Sequence, residues 1–179
     1  MPLSTTTDAL SRFLQTPDIE TSPAWELMGK EPQQKPMPTL FHSRLQRNLV
    51  NWINQNTTTH EAIQELRCIV PPYSPVPDIV VVPIEHLPDE DGPIQRAPDW
   101  LIEIRSTDQS TLPLQQKILH CLNNGSQLAW LIDLQKQQIW IWQNDQLPLI
   151  YGNTDPLPTV GVGSPVTVEG VMAMTQRSQ

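Results

Sequence analysis

The chain has 179 residues, and its 19 Asp and Glu against 11 Lys and Arg give a formal net charge of −8, which argues against a protein that coats nucleic acid by bulk charge. The length suits one domain; no apolar run is long enough for a membrane span, and the N-terminus lacks a signal-peptide pattern, so we expect neither. The two cysteines, Cys68 and Cys121, lie in apolar segments without a CxxC motif, so we expect reduced core thiols in a cytoplasmic protein.

The chain is predicted to begin with an arm. We expect residues 1–23 to be loosely attached and residues 24–175 to form a single domain. Within the arm, apolar residues over 8–14 fall on one face of a short helix, and the threonines before it are plausible caps.

Two elements open the predicted domain. Residues 24–38 alternate weakly around the turn signal Gly29-Lys30, which indicates a strand pair or a strand with a turn. Residues 39–55 predict a helix, because apolar residues recur every three or four positions and Thr39 can cap its start.

Three predicted strands follow. Residues 61–70 have apolar residues at strand-like spacings and end at a proline-rich connection. Residues 78–83 are almost all Ile and Val, which is typical of a strand buried on both faces. After an acidic loop bounded by prolines, residues 99–105 predict another buried strand.

The C-terminal part adds a helix over residues 114–124 and an antiparallel hairpin formed by 128–132 and 138–142. Residues 147–151 are a candidate third strand, and 167–175 a short terminal strand or helix. The order of elements predicts an α/β fold of the mixed α+β kind, with a mixed β-sheet flanked by helices.

Two of the buried strands each carry one acid. Asp78 opens its strand directly after a proline, and Glu103 lies between apolar residues in the next. A carboxylate removed from water is strongly penalised unless a cation compensates it, so two such acids on neighbouring strands indicate a shared cation. The alternatives are that Glu103 is simply paired with Arg105 or Lys117, and that Asp78 marks a turn.

A lysine and three further polar residues are candidates for the same site. Lys117 lies beside the apolar face of the helix after the Glu103 strand, where it could orient a water or stabilise a developing charge, although such lysines usually extend to solvent. Glu31 and Glu65 are candidate carboxylates, with solvent exposure as the simpler explanation for each. His42 is more simply a polar residue of the first helical turn.

Several motifs occur in a fixed order along the chain: Pro77-Asp78, Glu103-Ile104-Arg105-Ser106, Lys117, and Trp130-Leu131-Ile132-Asp133. As an ordered set, this pattern resembles the bacterial putative restriction endonuclease family, which belongs to the PD-(D/E)XK nuclease superfamily. The resemblance covers roughly residues 24–174.

The resemblance implies a restriction-endonuclease-like fold, Mg²⁺ or Mn²⁺ at the acids, and hydrolysis of DNA phosphodiester bonds. By position, Asp78 and Glu103 would be metal ligands, and Lys117 would be the catalytic lysine, moved from the strand to the helix. Glu31 would be an auxiliary catalytic acid near the metal.

Three auxiliary residues complete the implied site. Glu65 and His42 would be weaker neighbours of the metal, and Arg105 stands where the superfamily has its lysine, two residues after the glutamate. DNA is the expected partner, and cutting both strands would favour a homodimer.

Two other functions stay open at this point. One is a catalytically inert nuclease-fold module that acts in DNA or protein binding or regulation, which the net charge and Arg105 favour. The other is a metal-independent hydrolase that uses Glu103 and Glu31 as an acid/base pair.

Overall fold

The computed structural model describes residues 3–144 and 147–177. Within these residues, a sheet with helices on both faces forms the body of the protein. The elements are, in chain order, α1 (Leu3–Gln15), β1 (Trp25–Leu27), β2 (Pro32–Gln34), α2 (Leu40–Gln55), β3 (His60–Gln64), β4 (Ile79–Pro83), β5 (Trp100–Ile104), α3 (Thr111–Asn123), β6 (Leu128–Asp133), β7 (Gln138–Trp142), β8 (Leu149–Gly152) and α4 (Val168–Met172), with short 3-10 turns at Ile84–His86 and Ala173–Thr175.

The main sheet has the strand order β3-β4-β5-β6-β7-β8, and β1 pairs with β2 in a separate antiparallel unit. Neighbouring strands of the main sheet are antiparallel except β5 and β6, which are parallel because α3 carries the chain back across the sheet between them. The predicted mixed α/β fold is confirmed, together with the strand pair, the β6–β7 hairpin and the third strand after it.

Alternate residues of the central strands contact different helices. Trp100 and Ile102 pack in a cluster with residues of α2 and α4, whereas Leu101 packs with Ile118 of α3. This alternation follows from the period of two in a strand, and it places Glu103 on the face that α3 covers.

The predicted strand over 61–70 is wrong in its second half, because β3 ends at Gln64. The next residue, Glu65, has a φ of 52°, in the left-handed region, which ends the extended conformation. The Glu65 backbone N–H still donates to the carbonyl of Asp78 at 3.2 Å, so the break keeps Glu65 beside the start of β4.

The N-terminal helix is packed on the domain, contrary to the expected loose attachment. Leu10 and Phe13 of α1 are buried together with Leu27, and the Arg67 guanidinium lies 5.2 Å from the centroid of the Phe13 ring. The helix begins at Leu3, so the threonines that were expected to cap it lie inside it. Cation–π and apolar contacts therefore hold this segment on the domain.

Two further expectations concern the whole chain. Cys68 and Cys121 are free and buried, as predicted for core thiols. In the described part of the chain, every helix is too short or too polar for a membrane span.

Candidate active site

The sheet register brings two acids to the same place. In the antiparallel pair β4–β5, Ile79 lies opposite Ile102, so the next residues along, Asp78 and Glu103, come opposite each other. Asp78 Oδ2 accepts a hydrogen bond from the Ile104 N–H at 2.7 Å, which fixes this carboxylate beside Glu103. Both residues are almost fully buried, with 3% and 1% exposure. The meeting of the acids anticipated from the sequence is therefore present in the structure.

Lys117 extends from α3 into this acidic region and not to solvent. Its Nζ lies 2.9 Å from Glu103 Oε1 and 2.6 Å from Glu26 Oε1. The Glu103 contact is an ion pair without hydrogen-bond geometry, and within the described residues this buried oxygen has no hydrogen-bond donor. Glu103 therefore keeps acceptor capacity that the protein does not use.

Glu26 is a site residue that sequence reasoning missed. It lies in β1, and its Oε1 accepts a hydrogen bond from the Val76 N–H at 2.8 Å in addition to contacting Lys117. A signal was present, since Glu26 lies between Trp25 and Leu27 much as Glu103 lies between apolar neighbours. The β1–β2 unit brings this carboxylate to the end of the main sheet.

A second buried lysine, Lys35, was also missed. It follows β2, and its Nζ donates to Glu65 Oε2 at 2.6 Å, to Asp78 Oδ1 at 2.8 Å and to the Val76 carbonyl at 2.7 Å. The residues around Lys35 in sequence have no helical or strand period that would predict its burial. Two lysines therefore offset part of the negative charge of the acids.

The first turns of α2 supply the remaining polar contacts. The Thr39 hydroxyl accepts from the His42 N–H, which confirms the predicted cap and orients the first turn. His42 Nε2 lies 3.7 Å from Asp78 Oδ1, and one turn later Gln46 Nε2 donates to Glu65 Oε1 at 2.9 Å and to the Asp78 carbonyl at 2.7 Å. Gln46 was not foreseen from the sequence.

The last two predicted residues are placed differently. Glu31 is exposed, in the connection between β1 and β2, and lines the cleft that leads to the buried acids. Arg105 instead donates to Asp133 Oδ2 at 3.0 Å and to the Gln109 carbonyl at 2.7 Å. The structure thus brings Glu31 to the rim and turns Arg105 away from the acids.

The cleft has a volume of about 610 Å³. Its walls come from the β1–β2 unit, the start of α2 and the start of α3, and Asp78, Glu103 and Lys117 lie among its lining residues. Of the cleft's two further lysines, Lys35 is buried against the acids and Lys30 is exposed. Such a cleft gives an extended ligand access to carboxylates that are otherwise buried.

Electrostatics keep both buried lysines charged. Burial by itself would lower the pKa of Lys35, but Asp78 and Glu103 outweigh it and raise that pKa. Burial is likewise overcome at Lys117, where Glu103 and Glu26 raise the pKa. Both side chains are therefore ammonium donors, and neither is a proton acceptor at neutral pH.

The two central acids respond in opposite directions. Burial would raise the pKa of Asp78, but Lys35 and then His42 lower it, and the net shift is downward. Burial raises the pKa of Glu103 to about 8; Lys117 opposes this, and Asp78 adds to it. At Glu103 burial therefore outweighs the ion pair with Lys117, whereas at Asp78 the neighbouring positive groups, led by Lys35, outweigh burial.

The residues fit a divalent cation with oxygen ligands. When Glu26, Glu65, Asp78 and Glu103 are all ionised, four negative charges face the two ammonium groups, which leaves two negative charges. Donor atoms of His42, Glu65 and Asp78 also lie within 4.8 Å of one another. Carboxylate oxygens are the ligands that Mg²⁺ and Mn²⁺ prefer.

Comparison with known proteins gives this arrangement a context. Residues 10–165 match the model of the Uma2 family, which is described as "Putative restriction endonuclease". The chain is 34% identical to a putative nuclease belonging to DUF820 from Anabaena variabilis ATCC 29413, whose crystal structure was determined at 1.96 Å resolution. The two structures superpose with a TM-score of 0.83, covering 94% of this chain and 99% of that one. No curated protein matches the sequence.

Proposed function

The chain belongs to the Uma2 family of putative restriction endonucleases and has a restriction-endonuclease-like fold, and from this premise we propose that it is an endonuclease that hydrolyses DNA phosphodiester bonds with a divalent metal ion. One observation carries the proposal. Asp78 and Glu103 meet at the end of two neighbouring strands, inside a cleft, with the Lys117 ammonium 2.9 Å from Glu103.

Asp78 and Glu103 are the residues that would hold Mg²⁺ or Mn²⁺. When bound, such an ion polarises a phosphate and lowers the pKa of a bound water. The chain contributes by fixing the ligands side by side: the Ile104 N–H holds one oxygen of Asp78, and the Lys117 ammonium contacts Oε1 of Glu103. Both carboxylates are therefore held in position before an ion binds, and the ion has to compete with the ammonium groups that contact them.

Lys117 is the proposed catalytic lysine, and its role follows from its charge. Because Glu103 and Glu26 raise its pKa, it acts as an ammonium group that orients water or offsets negative charge on a phosphate, and not as a general base. Glu26, at 2.6 Å, is a positioning residue for that ammonium. Glu31, exposed at the rim, is the proposed auxiliary acid.

Although Arg105 stands at the superfamily's lysine position, the site still contains an ammonium group. Arg105 pairs with Asp133, and Lys117 supplies the ammonium from α3. This supports the nuclease over the inert module. The acid/base hydrolase has weaker support, because Glu103 is buried and ion-paired whereas Glu31 is exposed.

DNA is the proposed substrate and partner, and a cytoplasmic location goes with it. With a net charge of −8, the protein needs local attraction for a polyanion, and a bound divalent ion in the cleft would provide it. A homodimer is proposed because cutting both strands of a duplex needs two active sites.

The test is a cleavage assay with purified protein, supercoiled DNA and Mg²⁺ or Mn²⁺. We expect Asp78→Asn and Glu103→Gln to lower the cleavage rate at least about a hundredfold, as removal of one transition-state contact does in other enzymes. Asp89→Asn, in the exposed acidic loop, is the matched control and should cleave as the parent does.

Chelation separates the rival functions in the same assay. A chelator should abolish cleavage by the nuclease, whereas the acid/base hydrolase would be unaffected. Equal cleavage by the parent and both acid variants would show that the assignment is wrong. Absence of any cleavage, with unchanged DNA or protein binding in the acid variants, would favour the inert module.

A further inference from the structure

Next to the Asp78–Glu103 pair, a second group of donors surrounds a cation that belongs to the protein itself. Three oxygens lie around Lys35 Nζ: Glu65 Oε2 at 2.6 Å, Val76 O at 2.7 Å and Asp78 Oδ1 at 2.8 Å. Two carboxylates and a backbone carbonyl are also the ligands that proteins offer to divalent cations. An ammonium group and a metal ion would therefore compete for the same oxygens.

His42 points to a ligand beyond the lysine. Its side chain is 8% exposed, and its Nε2 lies 3.7 Å from Asp78 Oδ1, which is too long for a hydrogen bond. Its buried Nδ1 has no hydrogen-bond partner among the described residues. A buried imidazole without hydrogen bonds is costly, and a nitrogen of this one lies within 4.8 Å of carboxylate oxygens of both Glu65 and Asp78. Imidazole is a common metal ligand.

We propose that His42, Glu65 and Asp78 form a divalent-cation site whose occupant in the metal-free protein is the ammonium group of Lys35. Metal binding at this site requires Lys35 to withdraw from Asp78 and Glu65. The inference deepens the proposed function, since Asp78 is shared with the nuclease pair, but it makes its own prediction about metal affinity.

The position of Lys35 allows this exchange. It follows β2 in the small β1–β2 unit outside the main sheet, and its backbone N–H donates to the Ala24 carbonyl. The ammonium can therefore leave while the six-stranded sheet stays intact. It lines the same cleft as Lys117, so the displaced charge becomes available to a phosphate bound there.

The imidazole also predicts which ion the site prefers. Mg²⁺ strongly favours oxygen ligands, whereas Mn²⁺ and later transition metals accept nitrogen more readily. A site that includes His42 should therefore bind Mn²⁺ more tightly than Mg²⁺. The difference should shrink in His42→Ala, because the oxygen ligands that remain discriminate less between the two ions.

The experiment is a calorimetric titration of the full chain with Mn²⁺, without DNA. Lys35→Met removes the competing charge and keeps the length of the side chain, so we expect Mn²⁺ to bind at least about tenfold more tightly, given the repulsion between two cations at this range. The matched control is Lys30→Met, at an exposed lysine of the same cleft, which should bind Mn²⁺ as the parent does. Glu65→Gln should weaken binding.

A measurement on the unmodified protein covers the case in which Lys35→Met does not fold. In NMR spectra, the Lys35 ammonium protons should be protected from exchange without metal, and saturating Mg²⁺ should remove that protection. Unchanged protection with Mg²⁺ bound, or unchanged or weaker Mn²⁺ binding by folded Lys35→Met, would overturn the proposal.

The result is separable from the proposed nuclease activity. Tighter Mn²⁺ binding by Lys35→Met without DNA cleavage by the parent would support the cation site and contradict the nuclease. DNA cleavage by the parent, with the same Mn²⁺ affinity in the parent and in Lys35→Met, would support the nuclease and contradict the cation site.

Discussion

A buried aspartate lies near each end of β5, Asp99 at one end and Asp78 at the other, and its negative charge is compensated differently at the two ends. At one end, Asp99 meets the Arg96 guanidinium at 3.0 Å, His60 Nε2 at 3.6 Å and Gln127 Nε2 at 3.4 Å. One carboxylate is thus matched by a full positive charge and two polar groups. At the other end, four carboxylates share the two ammonium groups of Lys35 and Lys117.

Burial alone therefore does not distinguish the two ends of β5, whereas the balance of charges does. Asp99 is buried and satisfied by its neighbours, so it needs nothing from outside the protein. The carboxyl groups of Glu26, Glu65, Asp78 and Glu103 outnumber the two ammonium groups that contact them, and the cluster opens into a cleft. This excess of carboxyl groups over internal cations is the feature that supports the proposed metal site.

The largest expected effect comes from removing the cation at the acidic end. Lys117→Met leaves Glu103 and Glu26 without their shared ammonium, so we expect a loss of about 3 kcal/mol or more in the free energy of unfolding and no DNA cleavage. Chemical denaturation measures the first and the plasmid assay the second.

Arg96→Met is the control at the opposite end. Its side chain is 35% exposed, and the buried Asp99 keeps its contacts with His60 and Gln127, so the loss should be about 1 to 2 kcal/mol, with cleavage unchanged. Equal losses in the two variants would remove the contrast between the two ends of β5.

The next effect concerns Asp99 itself. Asp99→Asn keeps the shape and removes the charge that pairs with Arg96 and His60, so we expect destabilisation by about 1 to 2 kcal/mol. Because this end of β5 is proposed to have no catalytic role, cleavage per folded molecule should stay at the parent value. If Asp99→Asn folded fully but lost most of its cleavage activity, this end of β5 would have a role in the reaction.

A smaller effect is expected at Glu26. Glu26→Gln still accepts the Val76 N–H but no longer holds the Lys117 ammonium by charge, so the cleavage rate should fall about tenfold while substrate affinity changes little. Glu26→Asp, which keeps the charge, should recover part of the rate. A variant as active as the parent would show that Lys117 is positioned without Glu26.

The effect that is smallest at neutral pH is a pH dependence on the α3 face of the sheet. Burial raises the pKa of Cys121 to about 12, and burial also raises the pKa of Cys68. The unfolded thiols lose protons near pH 9 while the folded ones keep theirs, so the free energy of unfolding should fall as pH rises above that value, by about 1 kcal/mol per pH unit for each thiol.

Denaturation curves in the presence of a reductant, at several pH values above neutrality, test this. Cys121→Ala should have a shallower pH dependence than the parent. The same curve in both proteins would mean that the Cys121 thiol does not control stability in this range.

The sequence carries local signals for Asp78, Glu103 and Lys117, which the structure brings together. Asp78 and Glu103 stand out because an acid in an Ile- and Val-rich strand is costly, and Lys117 follows from the crossover helix that packs over Glu103. The two-residue period of a strand also accounts for the position of Glu103 on the α3 face, together with Leu101. These are local signals, and one sequence is enough to interpret them.

The missed residues depend on contacts between distant segments. Lys35 reaches Asp78 from 43 positions away, and Glu26 reaches Lys117 through the docking of the separate β1–β2 unit. Periodicity carries no information about where such a unit packs. The left-handed backbone at Glu65 was missed for a related reason, since the pattern of Ile63 and Leu66 favoured a continuous strand.

The β1–β2 unit has a consequence for how the protein responds to heat. This short hairpin lies outside the main sheet, carries Glu26 and leads directly into Lys35. If it opened locally, Lys117 would lose its contact with Glu26, and Asp78 would lose its contact with Lys35. Segments of this size open at a lower free energy than the core. Warming should therefore inactivate the protein, reversibly, at temperatures where the six-stranded sheet is still intact.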